Sequence, residues 1–394
     1  MTVEKLVYGG DGLSRLDGRV VFTPFVLPGE RIRARSRQEK PGLVRADVVN
    51  VLDAAPERVA APCPYYGRCG GCHYQHAPYA YQLGVKRAIL VEELRRLGKF
   101  EPPRDIDVIS AEPWGYRNRA QLHVENNRLG YREARSHTLC AIDHCPISSP
   151  KVNEAIRTLV SMQRDQRWPR FMRTIEIFTD EEQVQLNVLE TERPVARRFF
   201  DWCVEMIPGV VTGAVDYHGK FRVSSNSFFQ VNRFLHDELV AAALEGLEGD
   251  TALDLYAGVG LFSVALARRF RRVMAVESGG GAVRDLQYNA ERAGLTNLKC
   301  EQRTAEEFLT TLQKTPEVVL LDPPRAGLGK VVVERLLALH PPRIEMVACD
   351  PSTLARDLAL MLAGGYTVDR MTLVDLFPQT FHLETVVRLV WNSR

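Results

Sequence analysis

The sequence predicts an α/β protein whose C-terminal half contains a doubly wound, Rossmann-like parallel sheet. The first observation is a short apolar segment, residues 251–255, which is interrupted only by Asp254 and is typical of a buried parallel strand. The second is the turn that follows, in which Gly258 and Gly260 let a ligand approach the backbone closely. The third is the apolar pattern from Leu261 onward, which predicts a helix packed on the sheet. A strand, a glycine turn and a helix N-terminus form the nucleotide-binding unit of doubly wound folds.

Acidic side chains near this turn suit an adenosine ligand that has no pyrophosphate. A second predicted strand, residues 273–276, ends in Glu277, whose carboxylate can accept hydrogen bonds from ribose hydroxyls. The turn lacks the third glycine of the dinucleotide fingerprint, because position 263 is Ser. S-adenosylmethionine (SAM) therefore fits the pattern better than NAD. The alternative interpretation is an ordinary α/β turn with acids at the surface.

Length and composition limit the classes of protein to consider. The 394 residues are enough for two or three domains, and 45% hydrophobic and 25% charged residues are ordinary for a globular protein. Because the net charge is only +2, binding to nucleic acid would have to depend on local patches. The chain has no apolar run of transmembrane length and no signal peptide, so we expect a cytoplasmic protein without membrane association. We also expect a monomer.

The first 56 residues predict a separate small β-barrel. Glycines punctuate three β-rich runs, at residues 19–26, 31–36 and 43–52. Arg31, Arg33 and Arg35 alternate along the second run, so they project from one strand face. That face is a candidate for contacts with RNA phosphates. The alternative is a solvated edge strand that is protected by its charge.

Three cysteines lie close together in a glycine-bearing loop. Their spacing is Cys63-x5-Cys69-x2-Cys72, which allows three thiolates to surround one metal centre. In a long chain without a secretion signal, such clustering favours metal binding or catalysis over disulfides. A fourth ligand must come from elsewhere, and Cys145 and Cys140 are the candidates. Zinc held by four cysteines also remains possible, although the spacing is not that of a zinc ribbon.

The middle of the chain has readable elements but no chemical motif. Residues 79–97 have the leucine spacing of a helix that ends at Gly98. Asn126 and Asn127 lie between two β-rich runs and predict a hairpin. A second helix is predicted over residues 150–165, and two strands over residues 171–190.

Four polar residues follow or flank the later strands of the predicted sheet. Asp322 follows an apolar strand, and open α/β sheets bind ligands at the carboxyl ends of such strands. Cys349 ends another strand just before a helix, which offers a route to a lowered thiol pKa. A buried strand thiol is the alternative. His382 and Glu384 are acid/base candidates for the same crevice.

One further segment precedes the nucleotide-binding strand. Phe228 and Phe229 are followed by Gln230, which places an amide beside an aromatic wall. A core aromatic pair next to a surface glutamine is the alternative.

Together these motifs resemble the RNA 5-methyluridine methyltransferase family. Within that family, the chain is similar to the 23S rRNA (uracil-5-)-methyltransferases that carry an N-terminal TRAM domain and an iron–sulfur cluster. The resemblance covers almost the whole chain and rests on motifs that occur in this order: Cys63-x5-Cys69-x2-Cys72, Phe228-Phe-Gln230, Asp254-Leu-Tyr-Ala-Gly-Val-Gly260, Asp322-Pro-Pro-Arg325, Cys349-Asp-Pro and His382-Leu-Glu384.

The resemblance implies roles for individual residues. A 4Fe–4S cluster would be held by Cys63, Cys69, Cys72 and Cys145. The pocket for SAM and uracil would be lined by Gln230, Tyr256, Glu277 and Asp322, beside the Gly258 and Gly260 turn. Cys349 would be the nucleophile and Glu384 the base. Relatives often have Ser-Cys-Asn-Pro around the nucleophile, whereas this chain has Asp350 after Cys349, which we expect to weaken thiolate formation or change contacts to the base.

The resemblance also implies a domain organisation and a partner. Residues 1–56 would form the TRAM domain, an OB-like barrel. Residues 57–74 and 107–227 would form a small α+β central domain with the cluster. Residues 75–106 and 228–394 would form the SAM-dependent methyltransferase domain. The partner would be RNA, and 23S rRNA in particular, because bacterial tRNA-directed relatives usually lack both the cluster and the TRAM domain.

Three other functions compete with this one. The first is a 5-methyluridine methyltransferase that acts on tRNA. The second is a methyltransferase for adenine or protein amino groups, since Asp322-Pro-Pro resembles a motif of those enzymes. The third is a non-enzymatic iron–sulfur or zinc RNA-binding protein.

Overall fold

Residues 1–392 are described by a computed structural model, in which the chain begins with five strands that pair into one sheet. They are β1 (Val3–Leu6), β2 (Asp11–Leu16), β3 (Arg19–Pro24), β4 (Arg31–Lys40) and β5 (Leu43–Asp53). Their order is β1-β2-β3-β5-β4, and a bridge between Thr2 and Arg31 brings β1 back against β4. Asp17 and Gly18 have positive φ (49° and 74°), as a two-residue hairpin turn requires. The bridge closes the five strands into a small barrel, and an OB-like fold for it stays a prediction. Its assignment as a TRAM domain stays a prediction.

A long helix, α1 (Tyr79–Arg96), and a short strand, β6 (Asp107–Ile109), follow the barrel. The helix begins and ends within one residue of its predicted limits. Its buried residues include Ile89, Leu90 and Leu94, so one face packs inward as the leucine spacing predicted. Within residues 1–392 no helix combines the length and the apolar character needed to cross a membrane.

The middle of the chain forms a six-stranded sheet that packs against two helices. Its elements are β7 (Arg119–Glu125), β8 (Arg128–Arg132), β9 (Leu139–Ala141), α2 (Pro150–Met162), β10 (Met172–Thr179), β11 (Val184–Thr191), α3 (Arg197–Met206) and β12 (Val210–Val211). The predicted hairpin is confirmed, because Asn126 and Asn127 both have positive φ (49° and 54°) and join β7 to β8. Leu122, Ile156 and Trp202 belong to its shared core.

The remaining residues form a small hairpin and most of an eight-stranded sheet. The elements are β13 (Val215–Tyr217), β14 (Phe221–Val223), α4 (His236–Leu244), β15 (Gly249–Leu255), α5 (Leu261–Ala267), β16 (Phe270–Glu277), α6 (Gly280–Arg292), β17 (Leu298–Gln302), α7 (Ala305–Thr311), β18 (Val318–Leu321), α8 (Gly329–Leu339), β19 (Arg343–Ala348), α9 (Pro351–Ala363), β20 (Tyr366–Val374) and β21 (Glu384–Trp391). The strand order is β17-β16-β15-β18-β19-β21-β20-β6.

The large sheet is doubly wound. Strands β15 to β19 pair in parallel, and β21 runs antiparallel between β19 and β20. Successive residues of one strand enter different cores, because Leu253 joins one apolar cluster and Ala252 joins the other. Helices therefore cover both faces, and the predicted α/β fold is confirmed.

The chain reverses direction across the sheet between β15 and β18. From β15 it proceeds outward through β16 and β17, and it then returns to place β18 and β19 on the opposite side of β15. Open α/β sheets bind ligands outside the carboxyl ends of the strands at such a switch point. The residues that follow β15, β18 and β19 therefore define the candidate site.

The structure corrects one predicted domain limit. Residues 107–109 were assigned to the central domain, but they form β6, which pairs in parallel with β20 and completes the edge of the large sheet. Three residues after a proline-bearing linker are too short a run for strand periodicity to be read from sequence. The other predicted limits stay predictions.

Candidate active site

Glu277, at the end of β16, is bonded to the glycine turn that follows β15. Its carboxylate accepts hydrogen bonds from the backbone N–H groups of Gly258 at 3.0 Å and Gly279 at 2.7 Å. Gly258 has φ +55°, and no atom lies within 4 Å of where a Cβ would stand. Each carboxylate oxygen can accept more than one hydrogen bond, so Glu277 retains capacity for a ligand hydroxyl. The turn thus presents open space beside a carboxylate.

Gly260 has a different role from Gly258. It precedes α5 with φ +97°, and a Cβ there would lie 2.4 Å from a methyl carbon of Leu286. The position therefore requires glycine for close packing between the turn and α6, as well as for its backbone conformation.

Asp254 lies behind the turn and is completely buried. One of its oxygens accepts a hydrogen bond from the Ser263 hydroxyl, and the other has no partner within residues 1–392. Burial, followed by the charges of Asp322 and Glu277, raises the pKa of Asp254 to about 7. Asp254 therefore connects β15 to α5 beneath the turn. Ser263, noted in the sequence only as a missing glycine, is its partner.

Tyr256 occupies a strained position at the start of this turn. Its φ of 64° is in the left-handed region, which is rare for a large side chain. The ring packs partly buried against the apolar cluster of the sheet. The sequence does not reveal this strain, since glycine and asparagine are the usual signals of positive φ and tyrosine is not.

Gln230 and Asp322 lie together at the end of β18. The Gln230 amide nitrogen is 3.5 Å from an Asp322 carboxylate oxygen, and burial raises the pKa of Asp322 to about 7. Of the two phenylalanines before Gln230, Phe229 is buried at 2% exposure, whereas Phe228 is 60% exposed. Phe229 packs on Tyr217 at a ring distance of 4.7 Å. One ring thus belongs to the core, and the other is exposed two residues before Gln230.

Cys349 follows β19 at the same edge of the sheet and is half-buried. Burial, followed by the neighbouring Glu384 and Asp322 carboxyl groups, raises the pKa of its thiol to about 12, against the opposing charge of Arg325. The predicted route to a lowered pKa is therefore wrong for this arrangement. The N-terminus of α9 is taken by Asp350, whose carboxylate accepts the first free backbone N–H groups at 2.9 and 3.0 Å.

Glu384 begins β21 and is buried. Burial and the charge of Asp322 hold the pKa of Glu384 well above its ordinary value, although Arg325 opposes them. Burial and nearby cations, Arg325 first, lower the pKa of His382 to about 3. His382 lies 3.4 Å from the Arg325 guanidinium. Of the two acid/base candidates, Glu384 is the one that shares its surroundings with Cys349 and Asp322.

The four predicted cluster ligands line one cleft of about 1020 Å³, and Cys140 does not. Burial is the main cause that raises the thiol pKa of Cys63, Cys69 and Cys72, and Cys145 adds to each. Within residues 1–392, no three metal-ligating side chains stand close enough to hold a single ion. This finding gives no support to a mononuclear zinc site, whose sulfurs would lie roughly 2.3 Å from the metal. The 4Fe–4S cluster stays a prediction.

The cysteine loop also contacts the segment that leads to Glu384. The backbone N–H groups of His73 and Tyr74 donate to the Gln379 carbonyl at 2.8 and 3.0 Å. On its other side, the Gly70 N–H donates to the Arg132 carbonyl of the central sheet. The loop therefore joins the central sheet to the segment that precedes Glu384.

The three alternating arginines of the barrel project from β4 as predicted. Arg31 pairs with Asp53 at 2.6 Å, and Arg33 donates to Asn50 at 2.5 Å. These partners lie on the neighbouring strand β5, as on a solvated strand face. Contacts to RNA phosphates stay a prediction.

Comparison with known proteins gives consistent matches. A family model described as tRNA (Uracil-5-)-methyltransferase matches residues 214–391. The chain is 33% identical over 426 residues to an uncharacterized RNA methyltransferase of Aquifex aeolicus, with 99% of this chain and 97% of that protein aligned. It is 38% identical to another of Streptomyces coelicolor, with 98% and 91% aligned. The crystal structure of the Pyrococcus abyssi tRNA (uracil-54, C5)-methyltransferase with S-adenosyl-L-homocysteine has a TM-score of 0.75 and 26% identity, and covers 99% of this chain and 100% of that one.

Proposed function

Since the chain belongs to the family of SAM-dependent RNA (uracil-5-)-methyltransferases, we propose that it methylates uridine C5 in 23S rRNA through a covalent bond between Cys349 and uracil C6. The observation that carries this proposal is the grouping of Cys349, Asp322 and Glu384 at the switch point of the sheet, next to the open turn held by Glu277. An amino-group methyltransferase would have no use for a thiol at this position.

The proposed chemistry follows from the low reactivity of uracil C5. Addition of the Cys349 thiolate to C6 converts the ring to an enolate whose C5 is nucleophilic. SAM supplies the electrophilic methyl group for C5. Glu384 then removes the C5 proton, which restores the ring double bond as the thiolate leaves C6. Gln230 and Arg325 are the candidate donors to the enolate oxygen.

The raised pKa values mean that the Cys349 thiol and the Glu384 carboxyl both keep their protons in the free protein. The thiol must lose a proton, and Glu384 must be ionised when the C5 proton departs. A positive charge within about 4–6 Å lowers the pKa of a carboxyl or thiol group. Arg325 already opposes the raised values of Cys349 and Glu384. We infer that the cationic methyl donor adds to this effect.

The residues at the turn fit a SAM molecule. Gly258 leaves open space in which SAM can approach the protein backbone, and the Glu277 carboxylate can accept hydrogen bonds from the ribose hydroxyls. Tyr256, Gly260 and Asp322 complete the proposed pocket. The raised pKa of Asp322 suits a carboxyl group that meets a cationic ligand, because that ligand would restore its charge.

The cysteine loop is proposed to hold a 4Fe–4S cluster through Cys63, Cys69, Cys72 and Cys145. The donor set fits, since four thiols line one cleft and cationic iron would offset the burial that disfavours their thiolates. The cluster would supply a structural support rather than redox chemistry. The barrel, as a TRAM domain, would contribute to RNA binding.

The identity of the RNA has two candidates. The resemblance of the whole motif set supports 23S rRNA. The Pyrococcus abyssi relative, which acts on uracil 54 of tRNA, aligns with 99% of this chain. The presence of the N-terminal barrel, the central unit and the large-sheet unit therefore does not distinguish an rRNA substrate from a tRNA substrate. A tRNA is the second candidate substrate.

Mapping of 5-methyluridine tests both candidates. RNA from cells with and without this protein is separated into rRNA and tRNA, and modified positions are identified by mass spectrometry. We expect a uridine of 23S rRNA to lose its methyl group when the protein is absent. Loss from tRNA alone would select the second candidate, and loss from neither would contradict both.

A further inference from the structure

Tyr8 connects the N-terminal barrel to both catalytic segments. It lies in the turn between β1 and β2, and its hydroxyl donates to a carboxylate oxygen of Asp350 at 3.0 Å. Its ring meets Phe381 edge-on, with centroids 5.5 Å apart at 89°. Asp350 directly follows Cys349, and Phe381 stands three residues before Glu384. A single barrel side chain thus reaches the neighbourhoods of the proposed nucleophile and base.

Asp350 is held through both of its oxygens. Oδ1 accepts the backbone N–H groups of Ser352 and Thr353 and thereby caps α9, while Oδ2 accepts the Tyr8 hydroxyl. Asp350, which follows Cys349, is therefore fixed on one side by the N-terminus of α9 and on the other by Tyr8 of the barrel. Loss of the hydroxyl would free one side of this clamp.

The β1–β2 turn is docked firmly enough to transmit position. Asp11 is buried and pairs with Arg135, which follows β8 of the central sheet. Gly10 has φ +88° and lies so close to His73 that a Cβ would be 3.1 Å from its ring. The His73 ring also meets Phe381 edge-on, with centroids 4.5 Å apart at 67°. The turn is therefore packed between the central unit and the catalytic loop.

We propose that Tyr8 is a positioning residue for the Cys349 segment, so that docking of the barrel contributes to the rate of the chemical step and not only to RNA affinity. The proposal rests on the proposed function, in which Cys349 is the nucleophile. It assigns the barrel a part in catalysis through the contact between Tyr8 and Asp350.

The test compares two Tyr→Phe variants. Tyr8→Phe removes the hydroxyl and keeps the ring on Phe381. The matched control is Tyr74→Phe, because the buried Tyr74 hydroxyl has no hydrogen-bond partner within residues 1–392. The substrate is total RNA from cells that lack the protein, with isotope-labelled SAM and with enzyme and SAM saturating. We expect Tyr8→Phe to slow single-turnover methylation about tenfold, as loss of a hydrogen bond to a charged group predicts. RNA affinity and melting temperature should match those of the wild type and of Tyr74→Phe.

Asp350 variants show whether the effect passes through this contact. Asn at position 350 can still cap α9 and bond the Tyr8 hydroxyl, and it removes a charge that raises the thiol pKa of Cys349. The rate of Asp350→Asn should therefore not fall below that of the wild type. Asp350→Ala should lower the rate, and adding Tyr8→Phe to Asp350→Ala should cause no further loss, because interacting residues are not additive. An unchanged rate in Tyr8→Phe, an additive loss in the double variant, or a change confined to RNA affinity would overturn the proposal.

The proposed function is tested separately, by adding Glu384→Gln to the wild type and to Tyr8→Phe. Glu384→Gln should accumulate a covalent bond between Cys349 and RNA, whatever the residue at position 8. If no such bond forms, Cys349 is not the nucleophile, and the positioning role of Tyr8 is also wrong. If the bond forms at the same rate with Tyr8 and with Phe at that position, only the positioning role is wrong.

Discussion

Lys86 and Asp375 form an ion pair that is completely buried between α1 and the loop before Glu384. The Lys86 ammonium lies 2.6 Å from an Asp375 oxygen, with side-chain exposures of 0% and 1%. Lys86 also donates to the Phe377 carbonyl at 2.9 Å, and the Tyr79 hydroxyl donates to Asp375 at 2.9 Å. Burial lowers the pKa of Lys86, and Asp375 opposes that shift. Helix α1 therefore holds the loop before Glu384 by charge as well as by apolar packing.

Loss of this pair should be costly. Lys86→Met leaves Asp375 buried without its counter-charge, which we expect to reduce the free energy of unfolding by about 3–5 kcal/mol. Urea unfolding measures this. The control is Lys5→Met, since Lys5 pairs with Glu92 at the surface with 45% and 35% exposure, and such pairs contribute about 0–1 kcal/mol. Equal effects in the two variants would contradict a structural role for the buried pair.

The stability of the protein should fall with rising pH through the titration of Asp254. Its pKa is about 7 in the folded chain against 3.8 for the ordinary group, so the folded state keeps a proton that the unfolded chain releases. The loss therefore begins near pH 4 and is complete above pH 7. Asp254→Asn has no charge to bury, and its unfolding free energy should vary less between pH 5 and pH 8. An identical pH dependence in wild type and variant would mean that Asp254 does not titrate in this range.

The location of the site could be predicted from sequence because it depends on strand ends. Asp322 and Cys349 each follow an apolar run, and parallel strands bring such residues to one edge of a sheet. The same rule predicted Glu277. These residues needed no knowledge of distant contacts. Helix α1 and the hairpin turn at Asn126 and Asn127 could be predicted because their sequence signals are also local.

The electrostatics of the site and its barrel contact could not be predicted in this way. The thiol pKa of Cys349 depends on Glu384 and Asp322, which approach it only in the folded chain. The contact between Tyr8 and Asp350 joins residues 342 positions apart, and no local pattern encodes it. The short strand β6 gains its structure from pairing with β20 rather than from its own three residues.

The proposed 4Fe–4S cluster predicts the metal content of the protein. Protein purified without oxygen should be brown and contain about four iron atoms per chain. Cys145→Ser should lose the colour because Cys145 lines the cleft, whereas Cys140→Ser should keep it because Cys140 does not. Iron analysis and absorption spectra measure both. Colourless protein with stoichiometric zinc would overturn the cluster, and the reverse behaviour of the two variants would move the fourth ligand to Cys140.

The two adjacent phenylalanines should respond differently to truncation. Phe228 is exposed two residues before Gln230, and an exposed aromatic ring can stack on a base, so Phe228→Ala should weaken RNA binding by about 1–3 kcal/mol with little effect on stability. Phe229 is buried, and Phe229→Ala should reduce the free energy of unfolding by about 3–5 kcal/mol. Filter binding and urea unfolding separate the two effects. Unchanged RNA affinity in Phe228→Ala would leave that ring without a role in binding.

The last prediction separates the nucleophile from the base. Cys349→Ala should abolish methylation, because no adduct forms at C6 and C5 stays unreactive. Glu384→Gln should still permit thiolate addition and methyl transfer, but removal of the C5 proton should fail, and release of the thiolate depends on it. Gln preserves the size of the side chain and removes its basicity. The methylated RNA should therefore remain bonded to Cys349, as a denaturant-resistant protein–RNA band formed with labelled RNA and SAM. The band should vanish when Cys349→Ala is added and persist with Cys300→Ala, which removes a partly buried thiol on β17 instead. Normal turnover by Glu384→Gln, or a band that survives without Cys349, would assign these roles to other residues, with His382 the next candidate for the base.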